Sequence, residues 1–228
     1  MKATTAILCF LLLLLMGYFA FEGAMPAYAP DADAPAESFS TDRAMQHVQN
    51  LAAAPHAVGF PAHSEVRSYI VQTLTDLGLE PELQTGYTAG DWGNLSRATN
   101  ILARIPGTRS GKALVLMSHY DSAPHASFGA SDAGSGVAVI LEGLRAFLAA
   151  GNRPANDLII LITDAEELGL NGADLFVNQH PWAQEAGLVL NFEARGSGGP
   201  GGPESSGRRR AHDPAGPSSR GRRAQRGG

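Results

Sequence analysis

The sequence predicts an α/β fold, a three-layer αβα sandwich around a largely parallel mixed sheet. Three observations carry this. Ala113-Leu114-Val115-Leu116-Met117, Leu158-Ile159-Ile160-Leu161-Ile162 and Leu188-Val189-Leu190-Asn191-Phe192 are short, nearly continuous apolar runs, as expected of strands buried on both faces. Helical patterns over about 136–149 and 170–179 separate them, long enough for right-handed crossovers. Each run also passes directly into polar residues at its carboxyl end.

The elements follow in order. After Met1-Lys2 comes an apolar run from Ala3 to Phe21. As a helix it spans about 28 Å, close to the hydrocarbon thickness of a bilayer. It exceeds the usual apolar stretch of a cleaved signal, so residues 1–21 read as a signal anchor. Ala27-Tyr28-Ala29 has the small-residue pattern of a cleavage site, but Pro30 follows it. Lys2 precedes the run and Glu22, Asp31 and Asp33 follow it, which leaves the short end in the cytosol and exports the rest. Residues 22–39, with Pro26, Pro30 and Pro35, read as an extended linker. From Ser40 the pattern is helical, with Met45, Val48 and Leu51 at a spacing of three. A second helix runs from about His63 to Leu77, with Val66, Ile70, Leu74 and Leu77 as its stripe and Gly78 in the position that ends it. Strands follow at about 80–87 and 98–105. The helix over 136–149 carries Val137, Ile140, Leu141, Leu144, Phe147 and Leu148 on one side.

Composition narrows the chemistry. A single Cys among 228 residues excludes a disulfide framework and any zinc site built on two or four cysteines. The net charge of −5 averages two unlike parts. Up to Ala194 there are nine basic against 20 acidic residues; beyond it, eight Arg against two acids. Only two of the 17 basic residues are Lys, which, with abundant Ala, Gly and Arg, points to a GC-rich, bacterial genome and hence a periplasmic or extracellular location for the exported body.

The strand ends concentrate the polar chemistry. The first run ends in His119-Tyr120-Asp121, the second in Asp164-Ala165-Glu166-Glu167, the third in Glu193, and the loop after the first adds Ser131-Asp132-Ala133-Gly134-Ser135-Gly136. In an open α/β sheet, ligands bind outside the carboxyl ends of strands. Gathering one His and several carboxylates there is costly without a cation. That donor set suits zinc, cobalt or manganese. Each residue has a plainer use: His119 as a hydrogen-bonded structural histidine, Asp132 as a helix cap, Glu166 and Glu167 as solvated charges at a helix start. Their arrival at consecutive strand ends favours the metal.

At these residues the chain resembles the M28 family of zinc-dependent exopeptidases, particularly its membrane-anchored members. The matching stretches are Met117-Ser118-His119-Tyr120-Asp121-Ser122, Gly129-Ala130-Ser131-Asp132-Ala133-Gly134-Ser135-Gly136-Val137-Ala138, Thr163-Asp164-Ala165-Glu166-Glu167-Leu168-Gly169 and Asn191-Phe192-Glu193-Ala194-Arg195-Gly196. The resemblance implies hydrolysis of peptide bonds, mainly as an aminopeptidase, by a pair of zinc ions. His119 and Glu193 would bind one ion, Glu167 the other, and Asp132 would bridge them. Asp121 would orient the His119 imidazole, and Glu166 would be the general base. The second reading, from another class, is an inactive fragment of such a peptidase that binds at most one metal; cyclisation of amino-terminal Gln on the same fold is a minor alternative. A serine hydrolase is disfavoured, because Gly129-Ala130-Ser131-Asp132-Ala133 only approaches the G-x-S-x-G pattern.

The family completes its second zinc site with a late His. Here the candidate is His212, in Arg-rich sequence with no apolar residue around it. Residues 196–228 hold 10 Gly, four Pro and no large apolar residue. They read as a natural disordered basic tail or, the favoured reading, as sequence out of frame after Gly199. The metallopeptidase domain of residues 40–195 is then incomplete, lacking its last strands and its second-site ligand, and low activity follows. With no aromatic residues for base stacking, the tail does not suggest a nucleic-acid partner; a peptide substrate and the membrane are the partners expected.

Overall fold

The computed structural model describes residues 3–24 and 30–194 and the backbone of 204–205. The Ala27-Tyr28-Ala29 pattern, Arg195, His212 and nearly all of the basic tail lie outside the described residues.

The elements are α1 (Ala3–Ala24), α2 (Thr41–Leu51), α3 (Pro61–Asp76), β1 (Glu82–Ala89), β2 (Leu95–Ile105), β3 (Ala113–His119), α4 (Gly136–Ala149), β4 (Leu158–Thr163), α5 (Asn171–Gln179), β5 (Ala186–Asn191) and the two-residue β6 (Glu204–Ser205). The strands form one sheet in the order β1-β2-β4-β3-β5-β6. β3 lies parallel to both β4 and β5, whereas β2 is antiparallel to β1 and β4, and β6 to β5. The sheet is therefore mixed, with its parallel part confined to the three strands whose ends carry the polar residues.

Alternation along the strands builds the three layers. Ile101, Ala103, Ile160 and Ile162 face α2, α3 and α4, meeting Ile70, Leu74, Ile140 and Leu141. Leu102, Val115, Ile159 and Leu161 face the other way, against Phe176 of α5 and Trp182. All six residues of β4 are buried, which explains its unbroken apolar sequence.

Local signals set the helix ends. Ser40 caps α2 by accepting the Arg43 N–H at 3.1 Å. Pro61 opens α3, and Gly78 follows it at φ +79°, a conformation costly for any residue with a Cβ. Gly136 lets the start of α4 sit against the strand ends, since a Cβ there would meet the Phe192 carbonyl at 2.4 Å.

Three details differ from the sequence reading. Met45 is 45% exposed, and the α2 residues that reach the core are Ala44 and Leu51, seven apart. Two helical turns separate them, so they recur on the face that meets α4, which Met45 misses. β5 is not buried on both faces: Leu188 is 49% exposed, and among the described residues its outer edge meets only the two residues of β6. The supposed linker is bound to the body from Asp31 onward. Asp31 accepts the N–H groups of Thr41 and Asp42, Arg43 donates to the carbonyls of Ala34 and Ser38, and Arg145 of α4 donates to those of Ala36 and Ser38.

Candidate metal centre

Register places the site. His119 closes β3 opposite Thr163 of β4, and Met117 lies opposite Asn191 of β5. The parallel ladder thus carries the end of β3 between the segments that follow β4 and β5. Beyond β4, Ala165 turns the chain at φ +55° into a short helical turn, Glu166–Leu168. Beyond β3, Gly129 at φ +61° opens the irregular turn that presents Asp132 before α4 begins.

The carboxylates converge on one imidazole. His119 is 1% exposed, and its Nε2 lies 3.0 Å from Asp132 Oδ1, 3.5 Å from Glu193 Oε1 and 3.9 Å from Glu166 Oε2. Its Nδ1 lies 3.0 Å from the backbone carbonyl of Asp121 and 3.4 Å from the Asp121 carboxylate. The Asp121 oxygens in turn accept the N–H groups of Glu166 at 3.0 Å and Glu167 at 3.2 Å. This one carboxylate therefore ties the β3 end to the turn after β4. The sequence reading gives it the orienting role; in the structure the nearer acceptor for Nδ1 is its backbone oxygen.

Two sets of donor atoms gather closely enough to surround a cation: His119 with Asp132 and Glu193, and His119 with Glu166 and Glu167, each set within 4.8 Å. The first joins the imidazole and Glu193 expected for one ion to the carboxylate expected to bridge. With Nδ1 donating to a carbonyl, Nε2 is the nitrogen left facing the carboxylates, and in the neutral imidazole its lone pair would be offered to a cation among them. One imidazole among carboxylates is a donor set that zinc accepts, so these residues fit the metal.

Electrostatics supports the same reading. Burial disfavours the His119 imidazolium, yet hydrogen bonding with Asp121, Asp132 and Glu193 outweighs it and holds the pKa well above the ordinary value. Asp132 is held below the usual range by its hydrogen bond with His119, against some burial. Burial, reinforced by Glu193, Asp121 and Glu167 and opposed by His119, pushes Glu166 up to about 7. Glu167 is raised by burial and by Asp132. The raised pKa values of Glu166 and Glu167, crowded by neighbouring carboxylates, mark a concentration of negative charge that a divalent ion would relieve.

Asp164, at the same strand end, points elsewhere. It accepts from Thr99 and Ala165 N–H at 2.8 Å each and pairs with His63 Nε2 at 2.7 Å. The sequence reading does not single out His63, which is buried and stacked on Tyr120 with ring centroids 4.9 Å apart. The available signal is its place three residues before Val66, on the apolar stripe of α3, where a polar residue needs a buried partner. His56 is likewise buried, and its N–H donates to Ser122 Oγ at 3.0 Å.

Known proteins resemble the chain in sequence and in fold. The model of peptidase family M28 matches residues 100–213, past Gly199 where the composition changes. A vacuolar membrane protease of Candida albicans is 37% identical over 155 residues, 67% of this chain and 18% of that protein. The chain thus spans less than a fifth of the length of that relative. Among solved structures, glutaminyl cyclase of Porphyromonas gingivalis superposes with a TM-score of 0.61 at 27% identity, over 68% of this chain and 59% of that one. A Zn-dependent exopeptidase of Parabacteroides distasonis shares the fold, with a TM-score of 0.59 at 23% identity, over 70% and 63% of the two chains.

Proposed function

The chain belongs to peptidase family M28, and from that premise we propose that it is a membrane-anchored, zinc-dependent exopeptidase that removes residues from the amino end of peptides. The observation that carries this reading is the convergence of Asp132 and Glu193 on His119 Nε2 at the carboxyl edge of parallel strands.

His119, Asp132 and Glu193 would hold one zinc ion, and Glu167 with Asp132 would face a second. When bound, zinc polarises the scissile carbonyl and makes water a competent nucleophile at neutral pH. The rest falls to the chain's own side chains. Asp121 fixes the imidazole and the Glu166–Leu168 turn together. Glu166 takes a proton from the attacking water. The water oxygen bonds to the carbonyl carbon, and as the C–N bond breaks Glu166 delivers that proton to the departing nitrogen, which leaves as a neutral amine. The water's second proton stays on the new carboxylic acid, which loses it to solvent to become the carboxylate.

Glu166→Gln tests the assignment. Turnover of aminoacyl substrates should fall by about 10²-fold or more with zinc content and circular dichroism unchanged, in line with general-base contributions. Undiminished turnover in the variant would remove Glu166 from the mechanism. The likeness to a glutaminyl cyclase supports a second reading, cyclisation of amino-terminal Gln. Peptides beginning with Gln separate the two: a peptidase releases free Gln, a cyclase releases ammonia.

A further inference from the structure

We propose that the cavity between α3 and the β1–β2 hairpin is a second binding site, for a small carboxylate with an aliphatic body. It measures about 520 Å³ and contains none of the residues assigned to zinc. That volume lies in the range of ordinary ligand pockets.

Its lining has two kinds of surface. Arg67 of α3 and Arg97 of β2 supply guanidinium groups, and Leu83, Leu95 and Leu168 supply apolar wall. Leu83 and Leu95 are 52% and 71% exposed, so apolar area stands open at this face. Among the described residues neither guanidinium takes part in an ion pair. His63 and Asp164 also line the cavity, but the acid is already engaged by His63, Thr99 N–H and Ala165 N–H. Those donors occupy the Asp164 oxygens, which leaves Arg97, and Arg67 beside the Tyr120 hydroxyl, as the charged groups open to a ligand. A guanidinium recognises a carboxylate through paired N–H donors, and the leucines would cover a branched aliphatic chain.

Isothermal titration of the full chain in detergent with N-acetyl-leucine, its uncharged amide and inorganic phosphate tests this. A chelator without carboxylates, 1,10-phenanthroline, is present throughout, so that failure of the zinc reading cannot affect the result and the chelator does not compete for the arginines. N-acetyl-leucine should bind, with the amide and phosphate each at least tenfold weaker. Arg97→Gln, an exposed position that folding should tolerate, should weaken the acid at least tenfold and leave the amide unchanged. Arg67→Gln should act in the same direction. Equal binding of acid and amide, phosphate binding as tight as that of the acid, or indifference to both substitutions would each overturn the proposal.

Discussion

At the scale of single residues, the centre turns on which way one imidazole faces. Because the Asp121 carbonyl engages Nδ1, His119 offers Nε2 to the carboxylates. Asp121→Asn keeps the backbone carbonyl but weakens a carboxylate that accepts two N–H groups of the Glu166–Leu168 turn. Zinc affinity, read by competition with a chelator, should fall about 10–100-fold, the usual cost of losing such a supporting group. Unchanged affinity would leave Asp121 with a purely structural role. That His119, Asp132, Glu166, Glu167 and Glu193 come together could be expected from the sequence, because each closes a strand or lies in the turn just beyond one, where chain order alone brings them to one edge. His63 was not, because its partner Asp164 lies 101 positions away and only the tertiary fold joins them.

At the scale of elements, the segment before α2 is fastened by Glu142 of α4. Its side chain is fully buried and accepts from Ser40 N–H at 2.9 Å, Arg43 Nε at 3.1 Å and Arg145 Nε at 2.6 Å. Burial alone would raise its pKa, but Arg145, the Ser40 N–H and Arg43 outweigh it and hold the carboxyl below its ordinary value. The ionised form is therefore favoured by folding. Its contribution is complete above the unfolded pKa and is lost as pH falls through the folded one. Thermal unfolding followed across pH should show stability declining below the ordinary carboxylate range. Glu142→Gln should cost on the order of 3 kcal/mol at pH 7 and flatten that acid decline. A variant as stable as the parent would show the cluster to be incidental. The apolar stripe of α4 was plain in its sequence, but an acid buried beside it gave no sign until Arg43 and Ser40 were brought across from α2.

At the scale of the whole molecule, α1 stands apart from the body. It is long and apolar enough to cross a membrane, and no part of it is buried by protein. Seven peptide steps join Ala24 to Asp31, so the fastened segment begins within about 25 Å of the helix end, whatever path the chain takes. Replacing Leu12 and Leu13 by Arg should release the chain from the membrane fraction after alkaline washing, since each charge opposes insertion by about 2.5–3.5 kcal/mol. Retention of the variant would contradict anchoring by α1. The layered fold was readable because β4 and β3 are apolar on both faces; the antiparallel side of the sheet was not, because β1 pairs with β2 through mixed residues such as Thr85 and Thr99. The account as a whole rests on zinc at the strand ends. Metal analysis of the purified full chain after equilibration with zinc should find about one tightly held equivalent, lost in His119→Ala with the fold intact. A chain that holds no zinc, or a His119→Ala variant that holds as much as the parent, would contradict it.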